Sequence, residues 1–316
     1  MHRQAYVFLC LTTLFWGGNA VASRLAVGHV SPMMLTTLRW VIGCALLAAF
    51  AWPHLRRDWP EIRPKLPLLA ALGTLGFTGF NAVFYSSAQF TSAINIAIEQ
   101  GAVPMVIFVA NFVLFRQRVS FLQIAGFVLS LVGVALVASH GAFSRLLDLN
   151  VNFGDALMLV AVLLYAGYTV GLRLKPNIHW LSLMFVLSFF ALLASLPLVA
   201  WEIATDRLIA PDFQGWMVVF YVVLFPSIFA QTLYIRGNEL IGGNRAGLFI
   251  NLVPIFGTLL SIVILREAFF TYHAVALFMV LGGIWMAEHG GRKLASRASG
   301  RKVEPGFGNS DAPPTG

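Results

Sequence analysis

The sequence predicts an all-α membrane protein: ten transmembrane helices in two inverted five-helix repeats. Three observations carry that prediction. Hydrophobic residues make up 59% of the 316 residues and charged residues only 11%, with a mean hydropathy of +0.80. A soluble chain needs about a quarter charged residues to cover its surface. The apolar residues run in stretches of about 20, long enough for a helix rising ~1.5 Å per residue to cross a ~30 Å hydrocarbon core. Finally, the second half of the chain repeats features of the first.

The expected spans are 5–28, 32–52, 66–86, 92–115, 121–139, 154–173, 180–201, 214–235, 244–265 and 271–289. With the N-terminus inside, 16 of the 21 Lys and Arg fall on the cytoplasmic side, so both termini are expected there. Residues 53–65, with Pro53, Pro60 and Pro64, read as a basic cytoplasmic loop, and 140–153 and 202–213 as the longest external loops. Residues 1–139 form a first repeat, 140–153 an external linker and 154–290 a second repeat. Residues 291–316 turn basic, then Gly/Pro/Ser-rich, and read as a disordered cytoplasmic tail whose bases touch anionic headgroups.

Arg3, an apolar run and Ala20-Val21-Ala22 together have the look of a signal peptide with its cleavage site. The repeat argues against removal. At a shift of 149, Leu14, Trp16, Gly18, Val21 and Arg24-Leu25 fall on Leu163, Tyr165, Gly167, Val170 and Arg173-Leu174. At a shift of 150, Val103-Pro104 falls on Val253-Pro254, Arg116 on Arg266 and Gly133 on Gly283. Five is odd, so a second half that follows a five-span first half enters the membrane from the other side. Inverted repeats around a midplane site are a common architecture of alternating-access transporters.

The stretch Ile94–Arg118 carries Asn95, Glu99 and Gln100, then the break Gly101-Ala-Val-Pro104. A carboxylate at membrane depth needs protein or water around it, and proline opens backbone polar groups to a cavity. Arg39 and Glu99 each lie seven residues in from the outer end of their spans, which permits a buried pair. The other reading has Arg39 snorkelling to the outer headgroups and Glu99 in a wet vestibule. An unpaired Glu99 is a candidate proton carrier.

Trp16 and Asn19 share a face of span one, Asn81 and Tyr85 of span three, Tyr165 and Tyr168 of span six, and Gln231 and Tyr234 neighbour one another in span eight. Singly, such amides and aromatics serve interhelical bonds and packing. As a set, with Asn95, Glu99 and Asn251, they are candidates to line a central cavity for a small amphipathic solute. Arg39, Pro104 and Pro254 are candidates for structural or gating roles. The small faces Gly126/Gly133 and Gly282/Gly283 suit close helix packing or dimer contact. All seven histidines lie at or beyond span ends, which argues against a histidine relay, and Glu267 and Glu288 at span ends are expected to be solvated.

Trp16-Gly-Gly-Asn19, Ser31-Pro32, Arg39-Trp40 and the duplicated Pro104 and Pro254 resemble the EamA-type branch of the drug/metabolite transporter superfamily. The resemblance covers about residues 5–289. It implies ten helices in inverted repeats, cytoplasmic termini, and a cavity lined by spans one, three, four, six, eight and nine. Within that superfamily the chain looks most like amino-acid exporters of the YddG type, in the bacterial inner membrane.

The leading function is therefore a secondary transporter exporting aromatic or neutral amino acids, with another metabolite or drug-like solute as the alternative. Protons are a candidate coupling ion, and the chain is read as a monomer or homodimer. An intramembrane enzyme would need a nucleophile and base or metal ligands at depth, and no such motif is present. A non-transporting receptor would need larger external loops. Cys10 and Cys44 both fall inside spans, so no disulfide framework, metal or cofactor is expected. The net charge of +8 sits at helix ends and points to no nucleic acid.

Overall fold

The computed structural model describes residues 2–116, 120–141, 152–241 and 249–300. Every regular element among them is helical. We label them α1 (His2–Leu25), α2 (Pro32–Ile62), α3 (66–87), α4 (93–115), α5 (Phe121–Ala138), α6 (Phe153–Leu174), α7 (Trp180–Ala204), α8 (213–241), α9 (Ile250–Leu265) and α10 (Thr271–Gly300). Seven apolar stretches are long enough to cross a membrane, one of them the 56-residue run Pro32–Ser87 that spans α2 and α3. Ile250–Leu265 and Thr271–Ala287 are shorter apolar helices. The chain is a multi-pass membrane protein. Large apolar side chains such as Phe213 and Phe278 are 83% and 78% exposed, as lipid contact requires.

The first departure from the expected spans lies at the end of α2. The loop expected over 53–65 is helical instead, because α2 runs on to Ile62 through Pro53 and Pro60. Each proline removes one backbone hydrogen bond and its ring crowds the carbonyl four residues back, yet the helix continues through both. The extension gives α2 a functional end: Asp58 accepts from the backbone N–H of His179 at 2.8 Å and from Ser182 Oγ at 2.8 Å, which caps α7. The His54 and His179 rings stack at 3.8 Å beside it. Removal from solvent first, and the neighbouring His54 second, hold the His179 imidazole below its ordinary range. At the far end of the same helix pair, Glu202 of α7 accepts from Ser31 Oγ at 2.5 Å and from the N–H groups of Met33 and Met34 at 3.0 and 3.1 Å. The carboxylate near the end of each helix thus caps the beginning of the other, where backbone N–H groups lack partners.

Backbone irregularities also recur at a shift of 150. π-Helical turns occupy Gly73–Gly79 in α3 and Val223–Phe229 in α8. Short 3₁₀ turns, Gln100–Ala102 and Ile250–Leu252, precede Pro104 and Pro254. The helices that follow, Val103–Phe115 and Val253–Leu265, both stop at an arginine in the left-handed region, Arg116 (φ 49°) and Arg266 (φ 54°). Each proline therefore begins a helical segment, where its missing N–H is harmless.

Packing follows small residues. α5 lies along α10 so closely that a Cβ on Gly283 would meet the Gly126 carbonyl oxygen at 2.4 Å, so the glycine faces serve close packing between these two helices. α1 packs on α8 and α9, α3 on α6, and α4 on α9. α10 continues as a helix to Gly300, past residue 291 where the tail was expected to begin. Asn244, Arg245, most of the 140–153 linker and residues 301–316 lie outside the described residues.

Candidate solute-binding site

Arg39 sits at the centre of a polar seam between α2, α3 and α1. Its guanidinium donates to Asn81 Oδ1 at 2.9 Å and to the Tyr85 hydroxyl at 2.6 Å. The Tyr85 hydroxyl in turn reaches Asn19 Oδ1 at 3.4 Å. Arg39 is 8% exposed, its Nε has no acceptor, and among the described residues it makes no ion pair. The pairing with Glu99 does not form. The direction around the helix axis decides it: Arg39 bonds Asn81 and Tyr85 of α3, while Glu99 lies within electrostatic reach of Asp155 of α6.

The π-turn in α3 explains how the seam is held. Asn81 Nδ2 donates at 2.6 Å to the carbonyl of Phe77, which lies in this turn, and that bond orients the amide oxygen toward Arg39. Gly76 in the same turn admits the ring of Tyr168, since a Cβ there would lie 2.3 Å from it. The equivalent π-turn in α8 contains Pro226, whose carbonyl accepts from Trp16 Nε1 at 3.1 Å.

An aromatic wall flanks these groups. Trp16 and Tyr234 rings lie 5.5 Å apart, Phe80 and Tyr165 5.0 Å, and Tyr165 and Tyr168 5.7 Å. Tyr165 is within electrostatic reach of both Arg39 and Tyr234. Trp16, Tyr165, Tyr168 and Tyr234, from the three helices α1, α6 and α8, keep part of their surface accessible. The structure therefore brings together Trp16, Asn19, Arg39, Asn81, Tyr85, Tyr165, Tyr168 and Tyr234.

Other candidates lie elsewhere. Gln231 lines an apolar hollow of ≈ 260 Å³ with Leu47, Phe50 and Trp180, and a second of ≈ 170 Å³ lies between Trp59 and Phe185. Asn251 occupies the 3₁₀ turn before Pro254. Asn95 bonds Asp155, Thr91 and His273, and Glu99 is buried apart from the seam with both oxygens unpartnered. Two expectations are corrected here. His273 begins α10, yet it is 3% exposed and hydrogen-bonded inside the bundle. Glu267 is not simply solvated, because its oxygens accept from the N–H groups of Ala93 and Ile94 at the start of α4. Asp155, His140 and His273 went unrecognised in the sequence. The available signal was an acid two residues inside span six.

The EamA-like transporter family model matches residues 3–139 and 152–287. The chain belongs to the EamA-like transporter family. This EamA-like protein is 26% identical over 286 residues to the uncharacterized transporter YetK of Bacillus subtilis, covering 89% of this chain and 86% of that one. It is 24% identical over 323 residues to a probable amino-acid metabolite efflux pump of Salmonella typhimurium, covering 95% of this chain and 100% of the pump. The uncharacterized inner membrane transporter YicL of the same organism is 21% identical over 94% of this chain and 99% of its own. A crystal structure superposes with a TM-score of 0.61 at 20% identity, covering 92% of the EamA-like chain and 98% of the other, which speaks to fold alone.

Proposed function

We propose that this protein exports amino acids, aromatic or neutral, across a bacterial inner membrane by alternating access. The observation that carries the reading is Arg39: a buried guanidinium with a free Nε–H, no anion among the described residues, and a ring of amides and aromatic rings. A buried cation without a counter-ion is costly, and a carboxylate arriving beside it recovers that energy through charge-assisted hydrogen bonds. The amide oxygen of Asn19 suits an ammonium group, and Trp16, Tyr165, Tyr168 and Tyr234 suit an apolar or aromatic side chain. The name of the Salmonella efflux pump agrees with this solute class.

The architecture we propose is ten membrane spans in two inverted halves, 1–139 and 154–290, joined by an external linker, with both termini cytoplasmic. Support comes from the recurrence of π-turns, 3₁₀ turns and left-handed arginines at a shift of 150, and from the reciprocal caps of α2 and α7. Two similar halves facing opposite ways can exchange conformations, opening the seam to either side in turn.

Counterflow of labelled phenylalanine and leucine in proteoliposomes tests the reading. The wild type should exchange both, and Arg39→Gln should lose exchange by about a hundredfold, the scale of a buried charged hydrogen bond removed on one side only. Exchange by Arg39→Gln at the wild-type rate would overturn the role of Arg39. Absence of exchange in the wild type would overturn the solute class.

A further inference from the structure

We propose that Glu99 and Asp155 form a proton-binding site, separate from the Arg39 seam and reached through His140, that couples solute movement to protons. The inference rests on the transporter reading above, and it concerns a cluster that reading does not use.

The carboxyl of Glu99 is 0% exposed and neither oxygen has a hydrogen-bond donor. An ionised carboxylate in that setting would bear its full desolvation cost, so the group is at lowest energy carrying its own proton. Asp155 of α6, another buried carboxyl, lies within electrostatic reach of it. Two neighbouring buried carboxylates resist ionising together, and their protons belong to the pair.

The hydrogen bonds around Asp155 show where its proton goes. Phe270 N–H donates to His273 Nδ1 at 3.1 Å, so His273 carries its proton on Nε2. That Nε2–H donates to Asn95 Oδ1 at 3.2 Å, which turns the Asn95 Nδ2 group toward Thr91 Oγ1 at 3.1 Å and Asp155 Oδ1 at 3.3 Å. Thr91 Oγ1 donates to the same Asp155 oxygen. Asp155 Oδ1 is therefore filled with donors, while Oδ2 has no hydrogen bond and lies 3.7 Å from His140 Nε2. The His140 side chain is 35% exposed, at the end of α5. A proton from water can pass to His140 Nε2, from there to Asp155 Oδ2, and on to Glu99. His273 and Asn95 are positioning residues in this chain.

The charged and titratable groups on the surrounding elements fit this assignment. Glu267, after α9, accepts from the start of α4, and Arg24 of α1 donates to the Ala88 carbonyl, so neither neutralises Glu99. Tyr272 of α10 packs its ring 4.1 Å from that of His273. Glu99 is also the last residue of the first segment of α4, next to the 3₁₀ turn and Pro104. Loss of its proton would create a carboxylate that only water can satisfy, favouring a bundle opened at this break. That is the link from proton to conformation.

Two measurements on the full-length protein in proteoliposomes test the proposal. Infrared difference spectra across a pH step, with no solute present, should show the carbonyl stretch of a buried protonated carboxyl. The band should vanish in Glu99→Gln and move in Asp155→Asn. A wild-type spectrum without it, or an unchanged band in Glu99→Gln, overturns the site. In transport, Glu99→Gln and Asp155→Asn should keep phenylalanine counterflow but lose about tenfold of the accumulation driven by a pH gradient, the scale of a coupling between sites. Equal gradient-driven accumulation in wild type and both variants overturns the coupling. Failure of wild-type counterflow would overturn the transporter reading instead, while the infrared band still decides the site.

Discussion

Arg39 and Tyr85 show how one hydroxyl can hold a buried charge. The Tyr85 side chain is 1% exposed, its ring packs edge-on to Phe84 at 5.5 Å, and its oxygen joins Arg39 to Asn19. Tyr85→Phe keeps the ring and removes only the oxygen, leaving one guanidinium N–H with less to bond. We expect a loss of about 1.5–3 kcal/mol in stability, the range for hydrogen bonds to charged groups, together with weaker half-saturation by solute. Unchanged thermal unfolding and unchanged half-saturation would show that the hydroxyl does not position Arg39. At this scale the sequence was informative about residue type and helical spacing. Trp16, Asn19, Asn81 and Tyr85 were legible as polar or aromatic groups at helical spacing, and they meet. The Arg39–Glu99 pair was not decidable, because depth follows from counting while azimuth depends on which neighbour each helix packs against. His273 was missed for a related reason. A span end is exposed only when no other element covers it, and α4 covers this one.

Helices were legible from hydropathy because bilayer thickness sets their length, but their ends depend on tertiary capping. The sequence placed a loop over 53–65 on the strength of three prolines and a charge cluster. Asp58 and the start of α7 keep that stretch helical instead. The glycine faces of α5 and α10 were easier to read, since small residues at repeated spacing have few uses other than close approach. Their contact is backbone to backbone: a Cβ on Gly283 would sit 2.4 Å from Gly126 O and 2.8 Å from Ser130 N. Neither neighbour is the tip of a flexible side chain, so the helices would have to separate. Gly283→Val should lower stability by about 1–3 kcal/mol, as overpacking does. A melting temperature equal to wild type in detergent would mean that α5 and α10 can part without loss, and that their contact is not fixed.

For the molecule as a whole, the proposed alternating access would put the two openings at the two ends of the α2–α7 pair. Ser182 Oγ bonds Asp58 at one end and Ser31 Oγ bonds Glu202 at the other, each a serine hydroxyl on the carboxylate of the partner helix. In this structure both are closed. If the halves rock about the Arg39 seam, opening one face must loosen the cap on that face while the other stays shut. Removing one serine weakens one closed end and leaves its counterpart intact. Each bond is a hydroxyl on a buried carboxylate, worth about 1.5–3 kcal/mol, enough to move a balanced two-state equilibrium about tenfold or more. Ser182→Ala should therefore favour opening at the Asp58 end, and Ser31→Ala opening at the Glu202 end. A single cysteine placed at Tyr165, in a background without Cys10 and Cys44, reports the outcome through its labelling by a membrane-impermeant thiol reagent from either side of sealed vesicles. The two variants should change labelling in opposite directions, and the double variant should return toward the starting ratio. Shifts in the same direction would show that the caps only stabilise the fold, and that the α2–α7 pair is not where the two faces are told apart.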